Sequence, residues 1–272
     1  MKKSLFQILL IILFTTAYLQ IKAQCFEKNV TFKSGEKISF NIAYNWGLIW
    51  VDAGSVSFTI DSIFKNGQHI YHLKSWGKTY KTYDWFFKVR DYFDSYVDAN
   101  TLKPIEFKRG NYEGGFIIKN EYKFDYDSNK IFSFTENTKQ AFKKDTLNLP
   151  DCTYDILTAI YAARNIDFSI YKTGDTIPLR MIIDNEIFNL YIRYHGNEIV
   201  ENIDGQKYNC IKFTALLIEG TIFSDGEDLT FWVTDDKNKI PVIISAKILV
   251  GYVKAYLTSA KNLRYKITSK VE

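Results

Sequence analysis

The sequence predicts an all-β, mostly antiparallel fold: a large curved sheet, sandwich or partial barrel with one α-helix near the middle of the chain. Three observations predict it. Apolar and polar residues alternate with a period of two along most of the chain. Turn dipeptides containing glycine separate the alternating runs. Aromatic content is 17%, with 19 Tyr and 21 Phe against four prolines, and aromatic side chains pack well on a pleated surface.

The first element is not part of the fold. Lys2 and Lys3 precede an uninterrupted apolar run, Ile8 to Phe14, with the small residue Ala23 at a suitable cleavage position. This pattern predicts a signal peptide over residues 1–23, because a spanning helix needs about 20 apolar residues. A lipid anchor at Cys25 is disfavoured, since Gln24 and Lys22 stand where a small and an aliphatic residue belong. No second span follows. The best remaining run, Ile240 to Val250, is short and broken by Pro241, Ser245 and Lys247.

Strand patterns then follow in order. Ile38, Phe40, Ile42 and Tyr44 alternate with polar or small neighbours, as do Val56, Phe58 and Ile60. Asn66-Gly67 marks a turn. Further alternation runs from Phe116 to Tyr126, from Ile177 to Ile183 and from Phe188 to Tyr194. Asp204-Gly205 joins Glu198–Ile203 to Gln206–Phe213 as a hairpin. Asp225-Gly226 precedes Leu229, Phe231 and Val233; Asp235 to Lys239 forms a polar turn; Leu263, Tyr265 and Ile267 make a last strand. One segment breaks the period. From Tyr154 to Arg164, Ile156, Leu157, Ile160, Tyr161 and Arg164 recur at helical spacing. Asp151 or Thr153 is placed to cap this helix, and Asp155 suits its positive end. The helix either divides two strand-rich halves or plugs the concave side of one sheet. No linker composition marks a boundary, so residues 24–272 read as one domain of roughly a dozen or more strands.

Charge narrows the partners. Loss of Lys2, Lys3 and Lys22 with the signal lowers the basic count from 35 to 32 against 31 acidic residues, a mature net charge of +1. With no run of lysine and arginine, there is no electrostatic case for nucleic acid. Three cysteines remain, Cys25, Cys152 and Cys210. An oxidising compartment permits a Cys152–Cys210 pair; buried free thiols are the preferred reading, and no spacing suggests zinc.

Chemistry is sparse. His69 and His72 lie on opposite faces of a predicted strand, poorly placed to share a metal, and His195 stands at a predicted turn before Gly196. No nucleophile elbow, HExxH motif, P-loop or dinucleotide fingerprint is present, so no catalytic residue, metal ligand or cofactor is assigned. Asp91, Asp94 and Asp98 cluster in sequence beside Arg90, and Asp235-Asp236 sits in a turn. Either group could bind calcium or supply half of a glycosidase pair, but capping of turn amides or ion pairing is the simpler role. Trp46, Trp50, Trp76, Trp85 and Trp232, with the dense cluster Tyr80 to Phe87, could line a groove, although aromatic stripes usually pack cores. An outer-membrane barrel fits the alternation but not the lysine-bearing polar faces or the Lys270-Val-Glu272 ending.

The landmarks also form an ordered series. Gly35-Glu36 leads to Trp46-Gly47 and Asp52-Ala53-Gly54; Lys88-Val-Arg90-Asp91 precedes Asp98; the helix carries Asp155 and Arg164; Trp232-Val-Thr-Asp235-Asp236 runs to Ile240-Pro241-Val242, with Gly251-Tyr252 beyond. This series resembles the exported family catalogued as domain of unknown function 3108. The resemblance implies a periplasmic or envelope-associated β protein of Gram-negative bacteria, and the Ala23-Gln24 junction looks like those of Bacteroidetes. It implies no activity and no catalytic residue. Asp155, Arg164, Asp235 and Asp236 match its polar landmarks. The function that best fits these readings is non-catalytic binding of a lipid-like or other amphipathic ligand on a concave apolar face. An envelope protein-interaction module is the alternative, and a glycan or lipid hydrolase the third.

Overall fold

The computed structural model describes residues 23–26, 28–46, 49–65, 67–217, 226–247 and 251–272. All of the expected signal peptide except Ala23 lies outside these residues, as do Gly47, Asn66 and Asp225 of the turn and strand motifs.

The first meander runs through β1 (Lys37–Trp46), β2 (Ile49–Lys65), β3 (Gln68–Thr79), β4 (Val89–Asp98), β5 (Pro104–Glu113), β6 (Phe116–Asp125), β7 (Lys130–Asn137) and β8 (Gln140–Asn148). A two-residue strand β9 (Thr153–Tyr154) and helix α1 (Ile156–Ala163) follow. The second meander comprises β10 (Thr176–Ile183), β11 (Glu186–Glu201), β12 (Lys207–Leu217), β13 (Gly226–Thr234), β14 (Pro241–Lys247) and β15 (Tyr252–Lys261), before a terminal β16 (Lys270–Val271). Antiparallel pairing of β1 with β15 fuses the two meanders into one sheet ordered β8 to β1, then β15 to β9. Only β9 and β10 pair in parallel among these strands.

The connectivity forces curvature. Fifteen strands about 4.8 Å apart would span roughly 65–70 Å if flat. Yet β8 and β9, at opposite ends of the order, are joined by residues 149–152 alone, a reach of at most about 18 Å. The sheet must curl back on itself. Side chains rather than a ladder bridge the closing seam. Asn185 Nδ2 donates to Asp145 Oδ2 at 2.7 Å, and Arg109 Nη2 donates to Asp184 Oδ1 at 2.7 Å. The result is an open curved sheet.

Inside the curl sits α1. Eight residues are too few for a stable isolated helix, so packing and capping hold it. Leu157, Ala159, Tyr161 and Ala162 are buried against Phe32, Leu73, Val97, Ile177 and Val233 in the main core. Asp155, rather than Asp151 or Thr153, is the N-cap: its carboxylate accepts from Thr158 N at 2.8 Å, Thr158 Oγ1 at 2.6 Å and Ser95 Oγ at 2.8 Å. The helix begins two residues later than its periodicity suggests because Thr153 and Tyr154 extend to pair with β10. At the other end Arg164 leaves the helix to meet Glu36 in a buried bidentate pair, with Nη1–Oε1 at 2.5 Å and Nη2–Oε2 at 3.1 Å.

Three local expectations are corrected. His195-Gly196 is a bulge within one continuous β11, not a turn, with Gly196 at φ 90°. Leu263 to Ile267 forms no strand: the chain bends at Arg264 and Tyr265, Leu263 packs on the cluster of Ile38, Phe40 and Ile240, Ile267 reaches that of Tyr208, Cys210 and Val242, and Tyr265 N donates to Asn238 Oδ1 at 3.0 Å. Cys152 is bridged to Cys25, with Cα atoms 4.9 Å apart, so neither a Cys152–Cys210 pair nor a free Cys152 thiol forms. The N-terminal segment brings the partner: Gln24 N donates to Pro178 O at 3.0 Å and Phe26 N to the Tyr154 hydroxyl at 2.8 Å. Cys210 is a buried thiol, and burial pushes it up to about 12.

Candidate functional site

The helix fills only part of the concave face. Its capped start meets Ser95 in the middle of β4, and its end is held at Asn238, whose carbonyl accepts from Arg164 Nε at 3.0 Å in the β13–β14 turn. The concave face beside the helix is left as an apolar trough, one lobe reaching the β3–β4 loop and the other running between the β10–β11 and β13–β14 turns. Ile156 and Ile160 form a ridge along it and border both of its lobes.

The N-terminal lobe is a cavity of about 340 Å³. Its walls come from Ile42 on β1, Val56 and Phe58 on β2, and Val89 and Phe93 on β4, all brought to one face by the period of two. Gly77 on β3 leaves the floor open. A Cβ there would meet Asp91 Cβ at 3.7 Å and Val56 Cγ2 at 3.9 Å, ordinary contact distances. The C-terminal lobe, about 210 Å³, is built from Leu179 and Met181 of β10, Leu190 of β11, Phe213 and Ala215 of β12, and Leu229 and Phe231 of β13.

One carboxylate lines the trough: Asp91. Its Oδ1 is buried and has no hydrogen-bond partner among the described residues. Burial, with a lesser contribution from the neighbouring Glu113 charge, pushes the carboxyl up to about 7 against the pull of Arg109. Across the ladder Asp91 faces Asn111, whose Oδ1 is likewise buried without a donor.

The other residues singled out from sequence are dispersed. Arg164 borders the second lobe but is occupied by Glu36. Asp155 is wholly buried beneath the helix start, and desolvation raises its carboxyl despite the hydrogen bonds from Thr158 and Ser95. Asp236 orders the β13–β14 turn, accepting from Asn238 N at 2.9 Å and Thr268 N at 3.2 Å. Glu36, Arg164, Asn238 and Asp236 thus form one connected chain. Asp235 accepts from Asn197 Nδ2 at 2.6 Å. Trp232 lies on the outer face, its indole donating to Glu198 and Lys212 over its ring. Arg90 grips Asp84 with two hydrogen bonds, of 2.6 and 3.0 Å, which hold the Asp84 carboxyl below its usual range and fix the loop that carries Trp85. Asp98 caps a turn through Asn100 N and Thr101 N. Trp46 ends β1, and its side chain lies outside the described residues.

The acidic cluster therefore does not converge: Asp91 enters the trough, whereas Asp94 meets His72 and Tyr92 on the other side of the strand. Ser62 pairs with the other histidine, His69, at 2.5 Å, so the serine–histidine and histidine–aspartate contacts do not share an imidazole. Among the described residues no group of three or more His, Cys, Asp or Glu is placed to hold a metal.

Comparison with known proteins adds to this geometry. The family model described as "Protein of unknown function (DUF3108)" matches residues 39–258. No curated protein matches the sequence. A solved structure, the β-barrel-like protein of domain of unknown function DUF1849 from Brucella abortus, is similar in fold. It has a TM-score of 0.55 at 8% identity, over 86% of this chain and 99% of that one.

Proposed function

The chain belongs to the DUF3108 family, and from its own geometry we propose that it is a non-catalytic binding protein for a lipid-like or other amphipathic ligand. The observation that carries this reading is the two-lobed apolar trough between α1 and the concave sheet. Its larger lobe, about 340 Å³, falls within the ~300–1,000 Å³ of small-molecule pockets, which are mostly apolar with a few placed polar groups. Ile156 and Ile160 offer a continuous apolar ridge for a chain, and Asp91 a single polar contact.

We further propose that it works after export, in the periplasm or at the periplasmic face of the outer membrane. The Cys25–Cys152 bridge supports an oxidising compartment, and a sulfur engaged in that bridge is not open to lipidation. Among the described residues no helix is long and apolar enough to cross a membrane.

The test is native mass spectrometry of the protein purified from its own periplasm, followed by solvent extraction. A stoichiometric amphiphile supports the reading. A protein that is empty as isolated, and stays empty after incubation with vesicles of envelope lipids, overturns it. The β3–β4 loop favours a second reading, an envelope interaction module: Trp85 there is 81% exposed and its neighbours Phe86 and Phe87 are also exposed, an uncommon arrangement on a free surface. Under that reading Trp85→Ser abolishes envelope association while leaving the trough unchanged.

A further inference from the structure

Resting on the trough as a ligand site, we infer that its ligand carries a protonated amine, seated against Asp91 in the N-terminal lobe, with its apolar chain laid along Ile156 and Ile160. Three features of the lobe point to this class of head group.

First, the unmet atom that lines the lobe is an acceptor; Arg109 Nε, a buried donor also without a partner among the described residues, does not line it. Asp91 Oδ1 and, across the ladder, Asn111 Oδ1 are both buried acceptors without a hydrogen-bond partner among the described residues. Buried polar atoms of native proteins are nearly always satisfied, and an unpartnered acceptor lining an apolar cavity is the kind of placed polar group that orients a ligand's donor. An ammonium has three donors and no acceptor.

Second, the local charge is negative. The groups facing Asp91 are Glu113 and Arg109 of β5. Arg109 is itself paired with Asp184 from the β10–β11 turn. The residues that α1 and β2 place in the lobe (Ile156, Leu157, Ile160, Ser55, Val56 and Phe58) carry no charge. On β3, Lys78 borders the lobe but is exposed. A fatty carboxylate would meet Asp91 and Glu113 head on. A neutral alcohol would satisfy one acceptor and leave the charge uncompensated.

Third, the anchor and the chain site are contiguous. Asp91 stands beside the open floor at Gly77 and in the same cavity as Ile156 and Ile160, the ridge that continues into the second lobe.

The test uses three probes of one chain length, n-dodecylamine, n-dodecanol and sodium dodecanoate, displacing a neutral fluorescent naphthylamine dye from the mature protein. The amine stays protonated from pH 5.5 to 8, while Asp91, at about 7, passes from mostly neutral to mostly ionised. At pH 8 dodecylamine is expected to bind at least tenfold more tightly than dodecanol, and dodecanoate most weakly. The amine-over-alcohol ratio should fall toward unity at pH 5.5 and, at every pH, in Asp91→Asn. The wild-type pH series requires no variant to fold. Equal binding of amine and alcohol at pH 8 overturns the amine assignment while leaving an apolar site intact. An amine preference unaffected by pH and by Asp91→Asn also overturns it, by placing the anion elsewhere. If none of the probes displaces the dye or binds directly, the trough reading and this inference fall together.

Discussion

The two lobes of the trough face each other across α1 and differ in what lines them. The wall built by β2, β3 and β4 carries a desolvated carboxyl and a glycine floor, whereas the wall built by β10 to β13 is lined by Leu, Met, Phe and Ala. Arg164 and Lys239 border the second lobe, but Arg164 is neutralised by Glu36 and burial lowers the Lys239 ammonium against the pull of Asp167 and the Asp235–Asp236 pair. The contrast teaches how one sheet can supply both ends of an amphiphile site. Two meanders of similar make bring their inner faces to opposite sides of a short helix, and one polar substitution in the β4 wall polarises the whole trough.

The largest way to break the comparison is to release the helix that separates the lobes. Glu36→Ala leaves Arg164 buried without a counter-ion, and loss of one member of a buried pair costs about 3–5 kcal/mol. Urea unfolding should show that loss, and both lobes should stop binding apolar dye together. Restoring shape without charge, in Glu36→Leu with Arg164→Met, should recover most of the stability. Next in size is the bridge between the N-terminal segment and the start of β9. Cys25→Ser or Cys152→Ser opens a link between residues 127 apart in sequence, and removal of a native disulfide typically costs about 2–5 kcal/mol. Thermal unfolding with and without reductant should show the same loss in the wild type and no reductant effect in the variants.

The residues behind these two predictions were unequally legible in the sequence. Period-two alternation reveals which side chains share a face, and Ile38, Phe40, Val56 and Ile60 fall in strands where that pattern puts them. It does not reveal which face becomes concave, so the trough was invisible although its strands were not. Parity in fact separates Asp91 from Asp94 and Asp98, and the apparent acidic cluster dissolves on that ground alone. The Asp204-Gly205 hairpin was readable from its dipeptide. The Asp184-Asn185 turn, tighter with only these two residues between Ile183 and Glu186 and both at positive φ, was not, because it lacks the glycine that marks such turns. Pairings between distant residues, Cys25 with Cys152 and Glu36 with Arg164, leave no local signal: they are set by how a meander closes on itself. Arg164 was legible as a helix-end residue, but its partner was not.

A smaller and sharper test fills one lobe at a time. Gly77→Val adds a Cβ at ordinary contact distance from Asp91 and Val56 and extends two methyl groups from it into the N-terminal lobe, and a β-branched residue suits a strand. Ala215→Phe does the same in the C-terminal lobe, where it would crowd the space beside Phe213 and Phe231. If the head sits in the first lobe and the chain crosses into the second, Gly77→Val should weaken dodecylamine about tenfold or more and remove its preference over dodecanol. Ala215→Phe should weaken amine and alcohol by the same factor, leaving the preference untouched. Dye displacement measures both, and equal effects of the two variants on the preference would erase the distinction between the lobes.

The smallest expected effect isolates the charge itself. The Asp91 carboxyl titrates at about 7 in the folded chain against an ordinary value of 3.8, so between those values the folded state holds a proton that the unfolded state has released. By linkage, stability falls as pH rises through that window: the Asp91 increment is fully present below about pH 4 and lost above about 7. Asn keeps the shape and does not titrate. Asp91→Asn should therefore match the wild type near pH 4 and exceed it at pH 8. The carboxyl retains some contact with solvent, so the gain should be about 1–2 kcal/mol rather than the full value of the shift. Urea midpoints at the two pH values measure it. Bound dodecylamine should cancel the gain at pH 8, because it supplies the cation that makes the wild-type carboxylate the better partner. A variant that is less stable than wild type at pH 8 without ligand would mean that Asp91 is already compensated within the fold, and the C-terminal lobe would then be the place to look for the head group.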